Sequence, residues 1–269
     1  MIQIPSRDLP IDVTKKLRRY QAAVDSEPDF GKRIELAAAR FRQRNRQNNV
    51  AFRRVRSTLT SMCAGAKRCM YCEDSAGDEI EHHRPKNLYP EHVFVWENYL
   101  YACGPCNGPK NNRFAVFASD GSVVDVTRKR DQPAGPPVAG DPVLLHPRIE
   151  NPLDYMMLDI LGDTFLFVPT AFAQSQEFER ASYTIQLLRL NRRDHLRVAR
   201  REAYGSYRAR LTEYVHRRDD GAGNSALDLM TDAIRRMQHP TVWSEMRRQS
   251  NLIPELTRLF GQAPEALAW

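Results

Sequence analysis

The stretch that decides the reading is "CMYCEDSAGDEIEHHRPK", residues 69 to 86. It opens on two cysteines three apart, Cys69 and Cys72, and runs on to Glu81-His82-His83. A second pair with the same spacing, Cys103 and Cys106, closes the segment, with thirty residues between Cys72 and Cys103. That spacing lets both sulfurs of a knuckle reach one ion without strain. Four thiolates match the tetrahedron that zinc prefers and leave it no open position. The expected zinc is therefore structural, a staple for whatever lies between the pairs. The fifth cysteine, Cys63, is left over and reads as an ordinary buried thiol.

The bulk numbers place this staple in a folded protein. The chain has 269 residues, 42% of them hydrophobic and 27% charged, enough for one large domain or two small ones. No apolar run approaches a membrane span, and the first residues lack a charged-then-apolar signal. The expectation is a cytoplasmic protein with no membrane contact, in which paired cysteines bind metal rather than form disulfides. The net charge is +7 and the sequence pI about 9.3. From Met1 to Arg56 there are 14 Lys or Arg against 6 Asp or Glu, and a second basic run covers Arg189 to Leu211. One such run is ordinarily a solvated helix face. Two runs flanking the cysteine segment favour phosphate contacts and a nucleic-acid partner.

The expected architecture is α+β, a mainly helical chain carrying the zinc-stapled segment as its core. Residues 1–62 form a basic helical N-terminal region, since "VTKKLRRYQAAV" and "GKRIELAAARFRQRN" hold good helix formers on either side of Pro28. Residues 63–128 hold the cysteines and a hairpin signal at Asp120-Gly121. Residues 129–142, with their prolines and glycines, read as a linker or long loop. Residues 143–269 begin with a second hairpin, turning at Gly162-Asp163, and continue as helices. Phe178, Ala181, Ile185 and Leu188 share one helical face, as do Leu227, Met230, Ile234 and Met237; both stripes read as core. Asn191 is placed to cap the basic helix that follows, with Asp194 at its third position.

Between and just after the cysteine pairs lie an acid, an imidazole and amides: Glu81, His82, Asn98 and Asn107. Oxygen donors held this way suit a hard divalent ion, Mg2+ or Mn2+. Phosphodiester hydrolysis needs a base for water, a cation for the developing charge and a grip on the phosphate. His82, with an ordinary pKa near ~6.5, can be that base at neutral pH. Glu81 and Asn107 can offer oxygens to the ion, and Lys110 and Arg84 can reach the phosphate. His83 should face away from its neighbour and serve packing. Glu79 and Asp78 read as solvated, and His92 as peripheral.

"IEHHRP" followed by "WENYLYACGPCNGPK" resembles the HNH, or ββα-metal, nucleases: an acid-His pair with a proline, a central Asn, and a closing C-x-x-C-[His/Asn]-x-x-Lys. The resemblance implies an endonuclease with His82 as general base, Glu81 and Asn107 as metal ligands, and Asn98 fixing the loop and the base. Glu81 stands where Asp is commoner and Asn107 where His is commoner, and the central motif reads N-Y-L. The whole of residues 69–114 is similar to the HNH subunits of Septu-type and retron-associated antiphage systems, with looser likeness to about residue 246. That implies a defence nuclease acting with an ATPase partner, on DNA before RNA. The same chemistry on RNA or transfer RNA, and a zinc-stabilised nucleic-acid-binding adaptor without turnover, stay as alternatives.

Overall fold

The computed structural model describes residues 1–269, with helix over about half of them. Three helices come first: α1 (Ile11–Asp25), α2 (Phe30–Arg44) and α3 (Val50–Met62). Two of their starts are legible. The side chain of Asp29 accepts from the amide of Lys32, and that of Asn49 from Phe52, so each satisfies a donor that a helix N-terminus leaves free. The break at Pro28 is where the sequence puts it.

Strand β1 (Glu79–His82) pairs antiparallel with β2 (Tyr99–Ala102), with Glu81 opposite Leu100 and His82 opposite Tyr99. The helix α4 (Gly104–Lys110) follows at once. Every residue of β2 is buried; α3 packs on it, Phe41 and Phe52 lie against Tyr99, and Arg148 donates to the Tyr99 carbonyl. Then β3 (Ala115–Phe117) and β4 (Val123–Asp125) form the hairpin expected at Asp120-Gly121, where Gly121 takes a φ of +82°. The Pro/Gly-rich segment does not end as a free spacer. Its last residues form β5 (Asp141–Pro142), a third strand on β3. This needs Gly140, since a Cβ there would lie 2.1 Å from the Phe117 carbonyl oxygen.

A small hairpin of β6 (Met156–Leu158) and β7 (Phe167–Pro169) leads into α5 (Gln176–Leu187) and the long basic α6 (Asp194–Asp219). The chain ends with α7 (Asn224–Arg235), α8 (Pro240–Arg248) and α9 (Pro254–Gln262). Asn191 does not cap α6. Its amide exchanges two hydrogen bonds with the backbone of Phe167 and braces β7, and Asp194 is the first helical residue rather than the third. Of the α7 stripe Ile234 is buried, and Leu227, Met230 and Met237 are partly buried against the same core.

One apolar cluster of 58 buried residues runs from Met1 to Ala266, so the early helices, the cysteine segment and the last helices share a core. At about 1.5–3 kcal/mol for each large side chain taken from water, this common interior dominates the stability. No helix is long and apolar enough to cross a membrane.

Candidate active site

The four sulfurs converge. Cys69, Cys72, Cys103 and Cys106 are all buried, and their sulfur atoms lie within 4.8 Å of one another. A tetrahedral ion with bonds of about 2.3 Å needs sulfurs roughly 3.8 Å apart. The Cys72 and Cys103 sulfurs are 3.7 Å apart, so the donor set fits a metal ion such as zinc. Two polar groups answer the charge that four thiolates would carry. The amide of Tyr71 approaches the Cys69 sulfur at 3.4 Å, and the Arg193 guanidinium donates to that of Cys106 at 3.2 Å. The first knuckle is also latched from behind. Glu73, in the left-handed region at φ 63°, accepts from the amide and hydroxyl of Thr241 and from the amide of Ile2.

Beside this clamp, a cleft of about 280 Å³ is lined by residues of β1, α4 and the turn after β1: Glu79, Glu81, His82, Lys86 and Asn107 among them. Three of the four expected reaction-centre residues therefore share one cavity. The fourth, Asn98, lies behind it, where its amide ties the loop. Its Oδ1 accepts from the Arg84 amide at 2.7 Å, and its Nδ2 donates to the carbonyls of Arg84 and His92. This clamp closes residues 84–98 into a fixed loop between β1 and β2.

The loop orients His82. Its Nε2 lies 3.0 Å from the Val93 carbonyl, which also accepts from the Tyr99 hydroxyl at 2.7 Å. A carbonyl only accepts, so Nε2 carries the proton and Nδ1 keeps a free lone pair. Phe41 and Tyr99 pack edge-on against the ring at 4.5 and 5.2 Å. Burial among them, with the nearby Lys86 charge, lowers the His82 pKa to about 3. The ordinary value near 6.5 does not apply, and the ring is neutral throughout the physiological range.

Glu81 is engaged on both oxygens. One pairs with the Lys110 ammonium, and the other accepts from the Tyr71 hydroxyl at 2.9 Å. Lys110 is fully buried and also donates to the His82 carbonyl at 2.8 Å. Its expected contact with a phosphate is therefore corrected: the ammonium faces Glu81, not solvent. Arg84 lies outside this cleft. Its guanidinium lies over the Tyr89 ring at 5.0 Å and lines a separate cavity on the far side of the loop, with His83, His92 and His146. The cation that does line the cleft is Lys86, over the Phe41 ring at 5.8 Å, with its pKa lowered by burial.

Glu79 is exposed, as expected, and it also contacts Asn107. Its carboxylate accepts from Asn107 Nδ2 at 2.6 Å, which leaves the Asn107 oxygen free. A strand places alternate residues on one face, so Glu79 and Glu81 belong together, a signal present in "EIEHH". Nothing in the sequence points to Tyr71 or the Val93 carbonyl as partners. Carboxylate and amide oxygens in one cleft suit a hard divalent ion, although the donors of Glu79, Glu81 and His82 do not converge as the sulfurs do.

Over 48 residues the chain is 44% identical to the Septu protein PtuB of Bacillus thuringiensis. That stretch is 16% of this chain and 19% of that protein, so the chain spans about a fifth of the length of the curated relative it matches. No protein-family model matches. The likeness links the chain to Septu proteins and goes no further.

Proposed function

We propose that the chain is an HNH-type, metal-dependent endonuclease that hydrolyses phosphodiester bonds in DNA as part of antiphage defence. The observation that carries this reading is His82: its tautomer is set by the Val93 carbonyl, and it shares a cleft with two carboxylates, an amide oxygen and a lysine. The likeness to a Septu protein supports the defence role. A zinc ion in the four-sulfur site would be structural. Glu81 and Asn107, with Glu79 beside them, would hold a magnesium or manganese ion. When bound, that ion supplies charge neutralisation at the phosphate and the leaving oxygen.

The chain's own groups account for the remaining steps. His82 Nδ1 takes a proton from water as the water oxygen bonds to phosphorus, and the bond to the leaving alkoxide breaks. A conjugate acid near pKa 3 is a weak base, but an arriving phosphate diester brings negative charge beside the ring and raises it. Lys86 lines the same cleft and could meet the phosphate there. Asn98 holds the loop so that the imidazole need not reorganise.

The test is nicking of a supercoiled plasmid in Mg2+ or Mn2+, by the protein alone and with any ATP-binding protein encoded in the adjoining reading frame. His82→Ala is expected to lose at least ~100-fold in rate while keeping its zinc content. Retained cutting by His82→Ala removes the histidine from its role. No cutting of plasmid, single strands or transfer RNA under any of these conditions leaves the binding-adaptor reading in its place.

A further inference from the structure

The two sets of basic helices differ in how many of their charges are answered. On α6, Arg200 is buried against backbone carbonyls, Arg201, Arg208, Arg217 and Arg218 each meet a carboxylate, and Arg197 and Arg210 pair with no acid. On α1 and α2 the cations go almost unanswered. Lys16 touches Asp12 at 3.8 Å, and Arg19, Arg40, Arg42 and Arg44 pair with no acid. Lys16, Arg19, Arg40 and Arg44 line a groove of about 410 Å³ between the two helices, with Tyr20, Ala23 and Phe94 as its apolar part and no carboxylate in its walls.

This groove lies next to the His82 cleft. Phe94 follows Val93, whose carbonyl holds His82, and packs edge-on against Tyr20 at 5.4 Å. Phe41 of α2 turns inward onto His82, while its neighbours Arg40 and Arg42 are exposed. Helix α2 thus separates the two concavities, with the reacting side on one flank and unpaired arginines on the other.

We propose that the groove between α1 and α2 grips the phosphate backbone of duplex DNA beside the cleft; this rests on the nuclease reading. Unpaired guanidinium groups without a competing acid fit a polyanion. The groove offers little for an unstacked base. Of the two aromatic rings in its wall, Phe94 is buried, and Tyr20 is covered by the Arg44 guanidinium at 4.6 Å and by the edge of Phe94. Single-strand binders instead present free aromatic faces on which bases stack. The contacts are to backbone, so they carry position and not sequence.

The experiment measures binding without cutting: fluorescence anisotropy of a labelled DNA duplex and of its single strand, without divalent ion, across a salt series. The proteins are the full chain, Arg19→Glu/Arg40→Glu, and a control with the same charge change on α6, Arg201→Glu/Arg217→Glu. The groove variant is expected to lose about tenfold or more in duplex affinity at low salt and to flatten the log–log salt slope by about 2. The α6 control should lose less than about threefold on the same duplex, with its slope unchanged. Zinc content and circular dichroism are checked to match in all three. Equal losses in both variants, or tighter binding of the single strand by the parent, overturn the proposal. Loss of duplex binding in the groove variant alone, with no cutting by any form, would keep the groove and defeat the nuclease reading.

Discussion

Lys110 and Glu81 bury opposite charges that neither could keep alone. Removing one partner from such a pair leaves an uncompensated charge in the interior, at a cost of about 3–5 kcal/mol. Glu81→Gln and Lys110→Met are each expected to lose that much in urea unfolding, and the double variant to recover part of it, giving a coupling above about 1 kcal/mol. Strict additivity would mean that the ammonium lies elsewhere, for instance at the surface where the sequence suggested it. At this scale the sequence names residue types and not their partners. The spacing puts Lys110 one turn beyond Asn107, from which it could reach a phosphate or Glu81. Burial decided between them, and burial depends on what α4 packs against. The carbonyl that fixes His82 carries no signal at all, because every residue has one.

The knuckles, the β1–β2 hairpin and α4 form the unit whose order and spacing were plainest in the sequence, since metal geometry constrains four positions at once. The helical character of residues 1–62 was legible through their composition. Asn191 was misread because an amide three residues before a helix can equally bond a neighbouring strand, as it does with Phe167. The clamp itself predicts one zinc per chain by elemental analysis. Cys106→Ser is expected to abolish it and to destabilise by about 3 kcal/mol, roughly 6–12 °C in Tm for a chain of this size. A Cys106→Ser protein that melts with the parent would show that the sulfurs do not hold the hairpin.

Across the whole molecule one core joins the first helices to the last, which hydrophobic stripes cannot reveal, because they show that a face is buried and not against what. That core shelters His146. Its Nε2 donates to the Glu97 carbonyl and its Nδ1 accepts from the Arg148 amide, with Arg148, Glu150 and His83 around it. Burial, with the Arg148 charge, lowers its pKa to about 4 from an ordinary 6.5. The unfolded chain therefore takes up this proton first as the medium is acidified. The stabilisation is complete above about pH 6.5 and drains away between there and 4, at up to ~1.4 kcal/mol per pH unit. Urea midpoints at pH 7.5, 6 and 5 should fall accordingly, and His146→Gln should make the fall shallower. A variant whose midpoints track the parent's would show that the ring is already solvated.

Two of the supports around the sulfurs are donated from far along the chain, the guanidinium of Arg193 and the seat that Thr241 gives Glu73. For protein engineering the consequence is that residues 63–128 are not a transplantable cassette. A graft would carry the four ligands into a new host and leave behind both the counter-ion and the latch. Any chimera built on this segment has to import an arginine and a hydroxyl at those two places, or supply equivalents of its own.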